Sequence, residues 1–215
     1  MKKYLKLIIL PALVLISAII ILITNVPRLE YQYNDYYKGY IVTKAIGNAQ
    51  YYEIKDTYKN KPVVGIGENA FSEHKNLKEI KLPETIELIA RRAFYDCNNL
   101  TKINLENVIE IERNAFSYCS SLTSLNIGAD NIGASAFYKC KGLKEVNLEN
   151  TVIVSDMAFA QTSFEKISIP SSCITFGTDV FYECVMLKAI NVYGSSLKNN
   201  KYLNSLNIVN FIEKE

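Results

Sequence analysis

The chain has 215 residues and a mass of 24.4 kDa, with 49% hydrophobic and 21% charged residues, as is ordinary for a globular protein. This composition excludes a collagen-like, low-complexity or disulfide-dense chain. The 24 basic and 22 acidic residues give a net charge of +2, and this near balance argues against a nucleic-acid-binding protein, which usually carries a basic excess.

The N-terminal segment has the pattern of a membrane anchor. Residues 7–23 carry no charge, and three lysines precede them in the basic tip at residues 1–6. Residues 7–26 therefore predict one transmembrane helix, with a cytoplasmic N-terminus and an extracellular repeat domain. The apolar run is longer than that of a secretory signal and no Ala-x-Ala pattern follows it, so we expect an uncleaved signal anchor in the cell membrane. Cleavage, the alternative, would give a secreted protein.

Two short segments separate this anchor from the repeats that follow. Residues 27–39 are polar and rich in tyrosine, and they predict a stalk. Residues 40–65 predict an N-terminal cap or half repeat, in which residues 51–54 supply the first strand. A cap is needed because the end of a repeat stack exposes core and strand edges.

Residues 66–194 contain an internal repeat. The dipeptide Ala-Phe, with Val-Phe in the last copy, recurs so that successive phenylalanines are 23, 22, 21, 22 and 22 residues apart. An apolar residue stands four positions before each pair, and a cysteine follows the phenylalanine by three positions in four of the six copies. In the fifth copy, Phe164 replaces the leucine found six positions after the other phenylalanines. The repeat phenylalanines are Phe71, Phe94, Phe116, Phe137, Phe159 and Phe181.

Each copy ends in a short alternating run such as Leu125-Asn126-Ile127. Apolar and polar residues that alternate with period two predict a strand with one buried face. Stacked copies place these strands side by side in a parallel ladder over a continuous core. The three-residue spacing of Ala-Phe-x-x-Cys predicts a single helical or 3₁₀ turn, and we expect the phenylalanines to stack along the second wall.

The string IGENAFSEHKNLKEIKLP, residues 66–83, resembles the BspA-type leucine-rich repeat, and residues 111–127 resemble it equally. The resemblance covers about residues 40–194. It implies a right-handed α/β solenoid of short parallel strands and single helical turns on a bacterial or protist cell surface, with a role in adhesion. Residues 195–215 then predict a C-terminal cap, in which residues 203–208 form a last strand.

The cysteines at the shared repeat position, Cys97, Cys119, Cys140 and Cys184, allow three interpretations. They could bind a metal together with His74, form disulfides between neighbours, or act as small buried hydrophobic residues. Zinc ligands converge on a point whereas a ladder extends along a line, so we expect the third. His74, the only histidine, occupies the same position and is expected to be structural. We therefore predict no catalytic, cofactor-binding or metal-binding residue, and no enzyme.

Tyrosines are concentrated near the first repeat and beside the phenylalanines. Eight of the 15 lie between Tyr31 and Tyr58, and Tyr95, Tyr138 and Tyr182 each follow a repeat phenylalanine. Tyrosine is favoured at recognition surfaces because it offers a large contact area at little entropic cost. The same rings could instead shield the cap and the phenylalanine wall.

The outward positions of the predicted strands form the expected binding surface, called the strand face below. We expect a membrane-anchored cell-surface protein that binds a protein or matrix ligand through this face and binds no nucleic acid. A structural role in the cell envelope, packed on another membrane protein, is the alternative, and the asparagines could simply form a solvated strand face. The strand face comprises Glu79, Lys81, Lys102, Asn104, Ser124, Asn126, Glu145, Asn147, Lys166, Ser168 and Asn191.

Overall fold

The computed structural model describes residues 27–213, so the predicted basic tip and membrane anchor lie outside the described residues. Within this range, no helix is both long enough and apolar enough to cross a membrane. The described residues form a β-solenoid in which each repeat contributes short strands that pair with those of the next repeat.

One wall of the solenoid is a nine-stranded sheet in the order β1-β2-β5-β7-β9-β11-β13-β15, with β4 paired to β5. Neighbouring strands are parallel from β2 onward along this order. The apolar residue four positions before each Ala-Phe pair ends each strand from β5 onward and is buried. The strands are β1 (Arg28–Asn34), β2 (Gly39–Ile46), β4 (Thr57–Tyr58), β5 (Lys61–Ile66), β7 (Leu88–Ile89), β9 (Glu110–Ile111), β11 (Asn131–Ile132), β13 (Ile153–Val154) and β15 (Thr175–Phe176).

The second wall carries the strands predicted from the alternating runs, and all of its pairs are parallel as predicted. It is divided into three sheets, β3-β6-β8, β10-β12 and β14-β16-β17. The strands are β3 (Tyr51–Glu53), β6 (Glu79–Lys81), β8 (Lys102–Ile103), β10 (Ser124–Asn126), β12 (Glu145–Asn147), β14 (Lys166–Ile169), β16 (Ala189–Tyr193) and β17 (Val209–Ile212).

The Ala-Phe modules are not helical, which corrects the predicted helical turns. In every module the residue before the alanine and the second residue after the phenylalanine have positive φ, as at Asn114 (57°) and Tyr118 (68°). A right-handed helix requires negative φ throughout. The only helix in residues 27–213 is α1 (Lys201–Asn204), so the solenoid is built of β-structure rather than α/β.

Hydrogen bonds between repeats explain this backbone. The N–H of Phe94 donates to the Ala115 carbonyl, and that of Phe116 donates to the Ala136 carbonyl, both at 2.8 Å. A helix would use these N–H groups within its own turn, and the repeats would then lose this third row of bonds between them. A protein hydrogen bond contributes about 1 kcal/mol net, and such bonds recur at each repeat interface.

The core lies between the two walls and is filled by the repeat phenylalanines. Phe94, Phe116 and Phe137 are fully buried and stack with ring centroids 5.1 Å apart. Phe164 is also fully buried whereas Glu165 beside it is exposed, which confirms that Phe164 takes the leucine position of the fifth repeat.

The N-terminal end differs from the predicted stalk. The strand β1 pairs antiparallel with β2, so residues 27–39 contribute to the cap rather than to a linker. Leu29, Tyr31 and Tyr33 alternate with polar residues, and this period-two pattern accounts for the strand. The ring of Tyr31 stacks on that of Tyr58 with centroids 4.2 Å apart.

The C-terminal end is closed by a strand later in the chain than predicted. The sequence predicts this strand at residues 203–208, but β17 (Val209–Ile212) is the strand that pairs in parallel with β16. The Asn200 side chain accepts a hydrogen bond from the Leu203 N–H at 2.9 Å and so caps the start of α1. The helical turn thus takes up the first two residues, 203 and 204, of the predicted strand.

Candidate functional site

The strand face lies on the outside of the second wall. Each of its eleven residues is exposed or half-buried, and the strand residues between them are mostly buried. The alternation that predicted these positions is thus present in the structure. Their surroundings divide the strand face into three parts with different properties.

The N-terminal part is occupied by its own ion pairs. Lys102 Nζ lies 2.7 Å from a Glu79 carboxylate oxygen, and Lys81 Nζ lies 3.3 Å from one of Glu53. The Glu79 carboxylate raises the pKa of Lys102, and nearby lysines lower the pKa of Glu53. Such exposed pairs contribute little stability, but they neutralise this part of the surface.

Asn104 has a structural role. Its Oδ1 accepts a hydrogen bond from the Leu82 N–H at 2.8 Å, and its Nδ2 donates to the Leu82 carbonyl at 3.0 Å. The side chain therefore replaces the backbone pairing that the next strand would otherwise provide. Because both of its amide atoms already form hydrogen bonds, Asn104 is not available to a ligand.

The central part contains a polar cleft, because no strand pairing within residues 27–213 joins β8 to β10. Only a single bridge, Leu105 to Ile127, connects the two repeats at this point. The resulting cleft has a volume of about 310 Å³. Four strand-face residues line this central cleft, namely Ser124, Asn126, Glu145 and Asn147.

The C-terminal part of the strand face is more open. Asn191 accepts a hydrogen bond from Asn210 Nδ2 at 3.3 Å, whereas Lys166 and Ser168 are exposed. A second recess of about 470 Å³ lies where β12 and β14 separate, and Lys166 lines it together with Glu145. The structure thus brings the four central residues together around one cleft, whereas Lys166 is the only one of the three C-terminal residues that lines the second recess.

The five cysteines are unpaired and buried. The Sγ of Cys97 donates to the Phe71 carbonyl at 2.9 Å, and that of Cys119 donates to the Phe94 carbonyl at 3.0 Å. Burial raises the pKa of Cys97 to about 12, so its nucleophilic thiolate form is suppressed at neutral pH. The cysteines therefore form part of the core, and within residues 27–213 no cluster of histidine, cysteine and acidic residues is arranged to hold a metal ion.

His74 lies at the N-terminal end of the cysteine column. Its Nε2 is 3.2 Å from the Tyr52 hydroxyl, and its ring packs near that of Phe71. Burial lowers the pKa of His74, and its Nδ1 is buried without a hydrogen-bond partner. No acidic side chain bonds to it within residues 27–213, as the orienting group of a catalytic triad would.

A second surface, indicated only in part by the sequence, lies on the turns. The rings of Tyr95, Tyr118 and Tyr138 line a groove of about 410 Å³, called the tyrosine groove below. The sequence pattern that marks Tyr95 and Tyr138 misses Tyr118, which stands two residues after its phenylalanine rather than one. The sequence signal for this groove is a tyrosine within two residues after the phenylalanine in three successive repeats.

Parallel ladders that repeat about every 22 residues over a stacked phenylalanine core define a leucine-rich-repeat solenoid. Residues 44–153 and 127–212 match the family described as "BspA type Leucine rich repeat region", with six copies. The chain belongs to this family. Proteins of this kind are generally binding modules rather than enzymes. No curated protein matches the sequence.

Solved bacterial structures share the fold. The leucine-rich-repeat protein TpLRR of T. pallidum is 23% identical with a TM-score of 0.60, and the match covers 76% of this chain and 68% of that one. A leucine-rich cell surface protein of Faecalibacterium prausnitzii is 24% identical with a TM-score of 0.59, over 78% of this chain and 54% of that one. The pneumococcal vaccine antigen PcpA is 21% identical with a TM-score of 0.64, over 79% and 49%. The chain thus spans about half the length of the last two.

Proposed function

We propose that this protein is a cell-surface adhesion module that binds a protein ligand through its strand face. The central cleft is the observation that carries the proposal. It places Ser124, Asn126, Glu145 and Asn147 around the opening where β8 and β10 do not pair. Three of the four are uncharged polar side chains, which can both donate and accept hydrogen bonds.

The remainder of the strand face supports this location. Ion pairs and backbone bonds occupy Glu79, Lys102 and Asn104, whereas Ser124 and Asn126 are exposed. Asn147 Oδ1 accepts a hydrogen bond from the Glu149 N–H at 3.2 Å. A protein ligand that bonds to the other three strand-face residues around the cleft would displace only water there. The family membership and the likeness to the leucine-rich cell surface protein of Faecalibacterium prausnitzii support a surface role.

The test is capture of immobilised matrix proteins (collagen, fibronectin, fibrinogen and laminin) by the full chain. We expect Asn126→Arg to reduce capture about tenfold or more, because a long charged side chain fills the central cleft, without changing the thermal unfolding midpoint. The matched control is Asn76→Arg, an exposed position outside the strand face. Equal capture by the parent and both variants would contradict the proposal. Crosslinking to one envelope protein with no matrix capture would favour the envelope-assembly role instead.

We further propose that residues 7–26 anchor the protein in the cell membrane with the solenoid outside. The uncharged run and the preceding lysines support this topology. Mass spectrometry of the protein isolated from membranes should recover peptides that contain residues 19–23. A mature N-terminus after Ala18 or Asn25 would show that the segment is a cleaved signal.

A further inference from the structure

The tyrosine groove runs along the stack on the side of the turns. The ring centroids of Tyr95 and Tyr118 are 5.4 Å apart, and those of Tyr118 and Tyr138 are 5.7 Å apart. The groove therefore presents one aromatic ring for each repeat over three successive repeats. Its other wall is formed by residues that precede the alanine of each module, namely Arg92, Asn114, Ser135 and Met157.

Positive charge lies over these rings. The Arg92 guanidinium is 4.1 Å from the Tyr95 ring centroid, and Lys139 Nζ is 5.1 Å from the centroids of both Tyr118 and Tyr138. No carboxylate lines the groove, and within residues 27–213 neither Arg92 nor Lys139 forms a salt bridge. Asp96, next to Tyr95 in sequence, is paired with Lys75.

From this arrangement we propose that the tyrosine groove binds a linear glycan that carries carboxylate groups, such as a polymer of hexuronic acids. Arg92 and Lys139 would pair with carboxylates through charge-assisted hydrogen bonds. Tyrosine rings provide large, rigid contact areas with an apolar body and a polar end, which matches the mixed surface of a sugar.

The tyrosine spacing does not match an extended peptide. An extended peptide advances about 3.3 Å per residue, so side chains on one of its faces recur at about 6.6 Å and fall out of step with the rings. The groove lies on a different side of the solenoid from the strand face, so glycan binding there does not depend on the proposed adhesion site.

The test is binding of hexagalacturonate to the full chain, measured by calorimetry, with neutral cellohexaose and hexaglutamate as comparison ligands. The double variant Arg92→Asn with Lys139→Asn removes both cations. Both residues have positive φ (55° and 58°), which asparagine adopts more readily than most residues, so the backbone is retained. The charge-matched control is Lys78→Asn with Lys144→Asn, two exposed lysines that precede strands of the second wall.

We expect the groove variant to lose about tenfold or more in affinity for hexagalacturonate, while the control variant binds like the parent. Tyr118→Asn should also weaken binding, and Tyr118→Phe should retain most of it. Equal weakening by the control variant would show non-specific charge attraction and overturn the proposal. Tighter binding of hexaglutamate would assign the groove to acidic peptides, and absence of binding to the parent would reject it. Matrix-protein capture should be unchanged by the groove variant, so this proposal and the strand-face proposal fail independently.

Discussion

Phe116 and Phe137 stack with their ring centroids 5.1 Å apart and their planes within 2° of each other. The same distance separates Phe94 from Phe116, so Phe116 is held between two identical neighbours and is fully buried. Because each repeat touches mainly the repeats beside it, this column is where neighbouring repeats stabilise each other. Truncation of one ring should therefore weaken the interfaces of its repeat with both neighbouring repeats.

We therefore expect Phe116→Ala to lower the free energy of unfolding by about 3–5 kcal/mol, the usual cost of truncating a buried aromatic residue. The transition should also become less cooperative, because the repeats on either side lose their coupling. Urea unfolding followed by circular dichroism measures both effects. Tyr36→Ala is the control, because Tyr36 is 85% exposed and its truncation removes little packing. An unchanged midpoint and slope for Phe116→Ala would contradict the stacked core.

The phenylalanine column and the strands of the second wall could be predicted from the sequence because both patterns recur at the same interval of about 22 residues. The left-handed turns could not, because residues as different as Arg92, Asp96 and Met157 adopt positive φ there. Their conformation is imposed by hydrogen bonds to the next repeat, which local propensity does not encode. The two-residue strands of the first wall are likewise too short to show an alternating pattern.

The candidate site was predictable only in part. Alternation identified which strand residues face outward, but it treated Asn104 and Asn126 as equivalent. They differ because β8 ends at Ile103, and the Asn104 side chain then takes over the pairing with Leu82. Such a difference depends on where the ladder separates, and only the packed structure defines that point.

This difference gives a second prediction, on stability. Asn104→Ala should lower the free energy of unfolding by about 1–3 kcal/mol, since it leaves the part-buried Leu82 N–H and carbonyl without their partners. Asn126→Ala is the matched control and should change stability by less than about 0.5 kcal/mol, because Asn126 is exposed. Chemical denaturation of both variants provides the comparison. Equal losses of stability in the two variants would show that the Asn104 side chain is solvated and does not hold the Leu82 backbone.

The buried thiols should be unreactive in the folded protein. Thiolates are the reactive species, and burial raises the pKa of Cys97 to about 12 and that of Cys173 to about 11. At pH 8, a disulfide reagent such as DTNB should label the cysteines slowly in the native protein and rapidly in urea. Fast labelling of the native protein would indicate that the column is open to solvent.

The same thiols should make the protein less stable in alkali. In the unfolded chain Cys97 loses its proton near its ordinary pKa of 9.0, whereas in the folded protein it holds the proton up to about 12. Stability is therefore complete below pH 9 and falls as the pH rises toward 12, because the unfolded state releases a proton that the folded state retains. Cys97→Thr should flatten the dependence of the unfolding midpoint on pH, and threonine is the natural replacement because Thr162 occupies the equivalent position of the fifth repeat. If the unfolding midpoint of the variant falls with pH as steeply as that of the parent, Cys97 is not the source of the alkaline instability.

Acid should act at the N-terminal end of the same column, through His74. Burial lowers its pKa below the ordinary value of 6.5, so the unfolded chain binds a proton before the folded protein does. The stability contributed by neutral His74 is present above pH 6.5 and is lost as the pH falls through the lowered pKa. The thermal midpoint should thus be lower at pH 5.5 than at pH 7.5, by a few degrees at most because the ring is half-buried. His74 is the only histidine, so His74→Gln should abolish the difference, whereas a difference that persists in this variant would assign the acid sensitivity to carboxyl groups instead.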